Sequence, residues 1–316
     1  MIQYTVRRVV ASIPALIAVV IVVFAILRLI PGDPARYIGG ENMGEDALQQ
    51  LRERLHLNDP LHQQFLDYVT GLAQLDLGTS LLTQLPVIGI IGDALSITVL
   101  LAVTSVVIGV LISVPAGVLA AYSKFRGKDR TDNAVMGVVM LLDNVPSFWL
   151  ALLLMMGLSV QLGLFPMSGD VGWDDPGQMA MRLAMPIIVL AVGTIASLTR
   201  VTRAAVLETL DKDYIRTARS LGTSERTILF SHALPNASLP IVTMTGLSLG
   251  RLIAGTIIVE SIFSIPGIGT QLITAISGRD YPVVQGMVLV YALIFVLINV
   301  TTDIVYTRLD PRVRLG

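Results

Sequence analysis

Four polar residues lie inside long apolar segments, where a charge is costly and tends to mark a function. Asp143 is followed by Asn144 in one segment, and Arg251 and Glu260 lie in another. A carboxylate and a guanidinium can hold each other there, or can hold a charged solute. We expect these residues to line a pathway for a polar solute, with Arg251 facing Asp143 or a carboxylate of the solute. The alternatives are a structural ion pair for Arg251 and, for Glu260, a helix-end charge at the membrane interface.

The sequence has no pattern for ATP binding or covalent chemistry. The phosphate-binding pattern G-x-x-x-x-G-K-[ST] is absent, since Gly127-Lys128 lacks the upstream glycine and the following hydroxyl residue. Cysteine is absent, which removes thiolate ligands and nucleophiles. His56 and His62 are six residues apart with no third ligand evident, so we expect no metal site there. We therefore expect a non-catalytic protein without a cofactor of its own.

Composition indicates an integral membrane protein. The chain has 316 residues, of which 53% are hydrophobic and only 14% are charged, whereas soluble domains carry about 25% charged residues. The formal net charge is −1, so there is no basic field that would favour nucleic acid.

Six apolar segments are long enough to span a bilayer, which takes about 20 residues of helix. The first follows Arg7 and Arg8 and could be a signal peptide, but it is long for one and no small-x-small cleavage site follows it. We predict an all-α polytopic membrane protein. Its six transmembrane helices are predicted at residues 9–30, 96–122, 134–160, 183–203, 238–260 and 283–305.

The basic residues predict the orientation of these spans, because cytoplasmic loops carry an excess of lysine and arginine. Fifteen of the 22 lysines and arginines fall on the side of the N-terminus. Both termini are therefore expected in the cytoplasm. The cytoplasmic segments are then 1–8, 123–133, 204–237 and 306–316, and the external segments are 31–95, 161–182 and 261–282.

The first external segment, 31–95, is predicted to form a small helical cap. Helical periodicity covers Ala47–Leu57 and Leu61–Leu75, and Asn58-Asp59-Pro60 separates the two. The third external segment contains Pro266–Asp280, which is rich in glycine, proline and isoleucine. It is interpreted as a loop that dips back into the protein, where protein or a water-filled cavity must cover its backbone.

The segment Asp211–Pro240, here called the coupling loop, is far more polar than the apolar segments on either side. Good helix formers run over Tyr214–Leu221. Gly222 then supplies the left-handed position that commonly ends a helix. The pattern predicts a short helix that ends at a glycine turn.

A second short helix is expected to follow that turn. Thr223 or Ser224 can cap it, and Glu225 suits its first turn. Pro235 and Pro240 are expected to stop the helix or to kink the entry to the next span. Two helices joined at a glycine would make a compact knob that is too polar to enter lipid.

The spacing within this loop resembles the "EAA" loop of bacterial ABC importer permeases. That pattern is Glu-Ala-Ala, three residues, Gly, nine residues, Ile, one residue and Leu-Pro. The matching positions here are Arg216, Thr217, Ala218, Gly222, His232, Leu234 and Pro235. Arg216 replaces the glutamate and His232 the isoleucine, and the Arg-Thr-Ala form resembles the peptide and nickel branch. The resemblance implies that these residues dock into a groove of an ATPase subunit; the alternative is an ordinary basic loop.

Further motifs extend the resemblance to this branch from end to end. They are Pro31–Pro34, Leu57–Leu61, Asp76–Ser80, Glu260–Phe263, Pro266–Gly269, Arg279–Pro282 and Asp310–Arg312. The chain looks most like the "B" membrane subunit of a dipeptide or oligopeptide importer. The resemblance implies a type I importer permease in the bacterial inner membrane. The implied partners are a second homologous permease, two ABC ATPases that hold ATP and magnesium, and an external or periplasmic substrate-binding protein.

The resemblance leaves the solute open. Dipeptides or oligopeptides are expected first, and nickel or another small solute is the alternative. A secondary transporter that works without ATP would usually show an inverted repeat, and an intramembrane enzyme would need a nucleophile–base pair or a metal cluster; neither pattern is evident.

Overall fold

A computed structural model describes residues 2–29, 32–40, 43–167 and 174–309. In these ranges every regular element is helical, and Thr79 and Pro86 form an isolated antiparallel bridge. A chain this apolar must satisfy its backbone polar groups internally, as helices do. The all-helical prediction is confirmed for the described residues. The Asp310–Arg312 motif lies outside them.

The helices are numbered in chain order. They are α1 (Ile2–Leu29), α2 (Pro34–Gly39), α3 (Glu45–Arg54), α4 (Leu61–Ala73), α5 (Val87–Phe125), α6 (Asp129–Asp143), α7 (Ser147–Leu154), α8 (Pro176–Leu210), α9 (Asp213–Ser220), α10 (Glu225–Thr227), α11 (Leu234–Phe263), α12 (Ile268–Ser277) and α13 (Tyr281–Leu309). A π-helical segment, Met155–Gln161, continues α7, and a second, Ile228–Ala233, joins α10 to α11. The helices α3 and α4 match the periodicity expected for the cap, and α12 occupies a segment interpreted as a loop.

The described residues contain four to six candidate membrane spans. Four helices are long and apolar enough by themselves: Arg7–Leu29, Val87–Phe125, Pro176–Leu210 and Tyr281–Thr302. Two bent pairs bring the number to six: Asp129–Asp143 with Ser147–Gln161, at 94°, and Glu225–Ile253 with Gly255–Phe263, at 49°. The expectation of a helical protein with several membrane spans is confirmed.

The segment 134–160, predicted as one span, is not one continuous helix, because the helix breaks between Asp143 and Ser147. Pro146 has no amide hydrogen, and it disfavours helical geometry in the residue before it. The side-chain amide of Asn144 donates to the carbonyl oxygen of Met140 at 2.7 Å and so replaces a helical hydrogen bond. Apolar composition alone could not reveal this break.

The chain divides into two compact units. Unit 1 comprises Met1–Thr5, Val99–Ile265 and Leu297–Gly316, and unit 2 comprises Val6–Thr98 and Pro266–Val296.

In unit 1, α5 packs closely on α8 along a seam of small residues. Ser105, Gly109, Ser113 and Gly117 recur every four residues and therefore share one face of α5. A Cβ atom added at Gly109 would lie 2.7 Å from the Cγ2 atom of Thr194, and one at Gly117 would lie 2.6 Å from the Cβ atom of Thr202. Such contacts are shorter than carbon atoms tolerate. The glycines therefore permit the close approach of the two helices.

In unit 2, the buried carboxylate of Asp280 organises the loop that precedes α5. It accepts the Ser80 hydroxyl at 2.5 Å, the Leu81 amide at 3.0 Å and the Leu82 amide at 3.4 Å. The amide of Ile268 donates to the buried Thr98 hydroxyl at 2.9 Å, which fixes the start of α12. These contacts join the motifs at 76–80 and 279–282, which the sequence had shown only as separate resemblances.

Replacing Gly117 by leucine is expected to destabilise the protein by overpacking the α5–α8 seam, at about 1–3 kcal/mol. For a protein of this size the melting temperature should fall by roughly 2–5 °C. Thermal unfolding of the purified protein in detergent measures this. Gly193→Leu on α8 is the matched control, since an added Cβ there meets nothing within 4 Å. Equal melting temperatures for the two variants would contradict the conclusion that Gly117 permits the close packing of α5 on α8.

Candidate functional site

The first half of the coupling loop is a helix that ends in a Schellman motif. α9 ends at Ser220, and Gly222 has φ +79°, a left-handed conformation that glycine adopts without strain. The amide of Thr223 donates to the carbonyl oxygen of Ala218 at 3.2 Å, and the amide of Gly222 donates to that of Arg219 at 3.0 Å. These two bonds satisfy carbonyl groups that the helix end leaves free. The predicted glycine turn is present.

The second half begins at a serine cap, as the sequence predicted. Ser224 has an extended backbone, and its hydroxyl oxygen accepts the Thr227 amide at 3.2 Å. The prediction that Pro235 and Pro240 stop or kink this helix was wrong in part. The chain continues through the π-helical turn into α11, with Pro235 in its first turn and Pro240 inside it. The wider π turn lies directly before α11, where Pro235 provides no amide hydrogen.

The coupling loop is seated on unit 1 by buried apolar side chains. Ile215 of α9 and Ile228 of the π-helical segment are both fully buried. They belong to one hydrophobic cluster with residues from the C-terminal half of α5 and the end of α8, namely Val118, Ala121, Val206 and Leu210. The loop is therefore packed on two long helices rather than suspended from its ends.

An ion pair closes the turn between the two short helices. Arg219 donates from Nε to Oε1 of Glu225 at 2.8 Å and from Nη2 to Oε2 at 3.4 Å. Its guanidinium carbon also lies 4.7 Å from the centre of the Phe125 ring, at the end of α5. Arg219 thus joins α9, the second short helix and α5 through charge-assisted and cation–π contacts.

The outward face of the coupling loop combines charge with exposed apolar side chains. Leu221 at the turn is 81% exposed, and Phe230 is 60% exposed. Tyr214 is also exposed, and the exposed Arg216 forms an ion pair with Asp213 at the long distance of 3.5 Å. Exposed apolar groups ringed by charges are typical of a protein-docking surface.

The structure divides the residues predicted for this site into two groups. Arg216, Thr217 and Gly222 are exposed on the outer part of the loop, and Ala218 beside them is half-buried. The other group lies on the stem that leads into α11, where His232 and Leu234 are half-buried and Pro235 is exposed.

Sequence reasoning missed Leu221 as the exposed apolar residue of the turn, and it missed the Arg219–Glu225–Phe125 contact that holds the turn. The six-residue spacing of Arg219 and Glu225 around a glycine was an available signal. Phe125 is too distant in sequence to give one.

Asp143 forms an ion pair with Arg200, not with Arg251 as the sequence hypothesis considered. Nη1 of Arg200 lies 2.6 Å from Oδ2 of Asp143, and the two side chains are 43% and 39% exposed. A second pair lies nearby on the same two helices, where Nη2 of Arg203 donates to the buried Asp132 at 2.6 Å. Together the pairs tie α8 to both ends of α6.

The remaining predicted pathway residues differ in burial. Arg251 is exposed on α11, and within the described ranges it has no carboxylate partner. Glu260 is fully buried in the last turn of α11, and its interpretation as a helix-end charge stays a prediction. The sequence contained no signal for this burial.

Two family descriptions match the chain. Residues 113–315 match the "Binding-protein-dependent transport system inner membrane component" family. Residues 1–102 match the N-terminal membrane component of the same systems. The chain belongs to the family of inner membrane components of binding-protein-dependent transport systems.

Named relatives of this inner membrane component match it over nearly its whole length. A Brucella abortus (strain 2308) protein, whose name assigns it to a peptide transport system as a permease, is 40% identical over 309 residues, 98% of each chain. The glutathione transport system permease protein GsiC of Escherichia coli (strain K12) is 36% identical over 316 residues, 99% of each chain. The family and these relatives confirm the expectation of a non-catalytic permease subunit.

Solved structures share the fold of this inner membrane component. The MetNI methionine ABC transporter, in inward-facing conformations, gives a TM-score of 0.60 at 18% identity, over 71% of this chain and 97% of the matched chain. An amino acid ABC transporter with histidines gives 0.54 at 19% identity, over 70% and 94%. At these identities the likeness concerns the fold alone.

Replacing Arg219 by alanine is expected to loosen the coupling loop, because it removes a partly exposed ion pair and a cation–π contact worth ~1 kcal/mol together. Amide hydrogens of residues 213–233 should then exchange about fivefold faster, as followed by hydrogen–deuterium exchange with mass spectrometry. Arg226→Ala is the control, since Arg226 is exposed on the same loop. An unchanged exchange rate in Arg219→Ala would show that the buried contacts of Ile215 and Ile228 hold the loop without Arg219.

Proposed function

We propose that this chain is one of two permease subunits of an ATP-driven importer that takes up dipeptides or oligopeptides across the bacterial cytoplasmic membrane. The observation that carries the proposal is the full-length similarity to a relative named for peptide transport. The second relative is named for glutathione, which is itself a tripeptide. Both names favour a peptide over the nickel alternative.

The proposed partners are a second, homologous permease, two ATPase subunits and an external substrate-binding protein. ATP and magnesium would bind in the ATPase subunits. The coupling loop would be the contact surface for one ATPase, because it exposes the apolar Leu221 and Tyr214 together with the basic Arg216. A displacement of this loop would act on α5 and α8 through the buried Ile215 and Ile228, and on α11 directly along the chain.

We further propose six membrane spans with both termini in the cytoplasm. The four single helices and the two bent pairs supply six apolar candidates. The excess of lysine and arginine on the side of the coupling loop supports the orientation. The proposed span limits are those predicted from the sequence, with residues 134–160 crossing as the bent pair.

The pathway is proposed to run beside Asp143, Asn144 and Arg200, with Arg251 as a further candidate. An ion pair that is about two-fifths exposed in the single chain would be costly against lipid, so it should face protein or water. Its position at the break of a bent pair favours a water-filled cavity, where irregular backbone is tolerated. Glu260 is not included, because its side chain is fully buried.

Replacing Leu221 by aspartate is expected to release the ATPase subunit, since a charge would enter an apolar contact while the backbone remains unstrained. The measurement is co-purification of an ATPase with the chain after co-expression with its genomic neighbours, together with peptide uptake in cells. Uptake should fall at least tenfold. Leu61→Asp, at an exposed leucine of α4, is the control that should retain both.

If Leu221→Asp retains the ATPase and uptake, the coupling loop is not the docking surface. If no ATPase co-purifies with the unaltered chain and the chain alone moves solute in liposomes, the secondary-transporter alternative is correct. Gly222→Asp is a poorer test, because the left-handed backbone at Gly222 would itself be strained.

The absence of cysteine allows the topology to be tested with single substitutions. Ser220→Cys should react with a membrane-impermeant maleimide only in inside-out vesicles, and Gln74→Cys only in right-side-out vesicles. Asn144→Cys should also react from water, because we propose that it faces the pathway. Leu111→Cys, at an exposed leucine of α5, is the lipid-facing control and should stay unlabelled. Labelling from the opposite sides would reverse the proposed orientation. An Asn144→Cys variant that does not react would refute the proposal that Asn144 faces the pathway.

A further inference from the structure

Unit 2 contains a cavity that the transport proposal leaves unexplained. Its volume is about 320 Å³, which is in the range of small-molecule sites. The outer end of α1, the helix α4, the loop after it and the first turn of α13 all line it. All of the lining residues belong to unit 2.

Two groups at this cavity are hydrogen-bond donors without acceptors. Gln285 is 5% exposed, and its Nε2 amide has no hydrogen-bond partner among the described residues. Arg28 donates from Nη2 to Gln64 at 3.0 Å, but its buried Nε and Nη1 atoms have no acceptor in the same ranges. Buried polar groups are normally satisfied, so two unsatisfied donors at one cavity call for an acceptor.

The guanidinium of Arg28 remains charged but unpaired with any carboxylate in the described part of the chain. Its central carbon lies 4.2 Å from the Phe24 ring centre and 5.0 Å from that of Tyr281. The aromatic faces hold the arginine in position and shield its charge only partly. An anionic group would therefore bind favourably beside it.

Acidic groups line the same cavity. Asp67 of α4 and Asp76 of the following loop both line it and are both exposed. Neither forms an ion pair with Arg28. Tyr68 also lines the cavity, and burial raises the pKa of its phenol to about 12, against the lowering effect of Arg28. The phenol therefore stays protonated and adds no further negative charge.

We propose that this cavity binds a small zwitterion, a short peptide with a free amino and a free carboxyl terminus. Arg28 and Gln285 hold the carboxylate, Asp67 and Asp76 attract the ammonium group, and Tyr68 and Tyr281 offer apolar contact. The charges and donors argue for a zwitterion by themselves, and the choice of a peptide rests on the proposed function. The site would hold solute on unit 2 of the permease itself.

Isothermal titration calorimetry tests the site directly. The chain is purified in maltoside detergent with the subunits that co-purify, without the substrate-binding protein, and is titrated with alanyl-phenylalanine. We expect saturable binding. Gln285→Met and Asp67→Asn should each weaken it about tenfold, which is the loss of one charge-assisted hydrogen bond or ion contact. Gln63→Met, on the exposed side of α4, should bind like the unaltered protein.

Altered probes identify the groups that are recognised. N-acetylated and C-amidated alanyl-phenylalanine, which each lack one charge, should bind at least tenfold more weakly. Glycerophosphoethanolamine carries the zwitterion of a lipid headgroup and should not compete. If it binds more tightly than the peptide, the cavity is a lipid site and the proposal is wrong. No saturable binding of the peptide, or unchanged affinity in Gln285→Met, would also overturn it.

Stability measurements separate binding from folding. The Nε2 atom of Gln285 has no partner among the described residues, so Gln285→Met should melt at or above the temperature of the unaltered protein. A melting temperature several degrees lower would make the amide structural and would overturn the proposal. If the cavity does not bind the peptide but cells still take peptides up, the proposed function stands and only the site is refuted. Peptide binding here without peptide uptake in cells would instead count against the proposed function.

Discussion

The close approach of α5 and α8 is the constraint on which the rest of unit 1 depends. It exists because Gly109 and Gly117 have no Cβ atoms to meet the threonines of α8. The same two helices then provide, at their C-terminal ends, the apolar surface that buries Ile215 and Ile228. The coupling loop can be rigid only if its support is rigid. A substitution in the seam would therefore affect a surface several turns away.

The ion pairs of α8 fix the position of α6 against it. Arg200 and Arg203 lie three residues apart, yet their partners Asp143 and Asp132 lie at opposite ends of α6. Removing Arg203 would leave the buried charge of Asp132 uncompensated, which costs more than the pair contributes. The pairs consequently hold the bent segment in one arrangement against α8. One of them remains partly exposed, and this is the feature that connects the packing of unit 1 to the pathway we propose.

Unit 2 uses buried polar groups for two different purposes. Asp280 is fully satisfied by the loop that it holds, so its role is structural. Arg28 and Gln285 are also buried, but donors of both remain without acceptors in the described ranges. The difference distinguishes a residue that builds the unit from residues that are available to bind.

The sequence by itself determined the helical membrane class, the family through its spaced motifs, and the two short helices of the coupling loop. Each of these depends on local chemistry: apolar length, the left-handed glycine at 222 and the serine cap at 224. Tertiary structure alone decided which charges meet. The hypothesis placed Arg251 opposite Asp143 or a carboxylate of the solute, because both residues lie in apolar segments. A break at Pro146 and the packing of α6 on α8 instead bring Asp143 to Arg200. The burial of Glu260, the contact of Arg219 with Phe125 and the cavity beside Arg28 likewise depend on residues far apart in the chain, and a linear pattern carries no information about such distances.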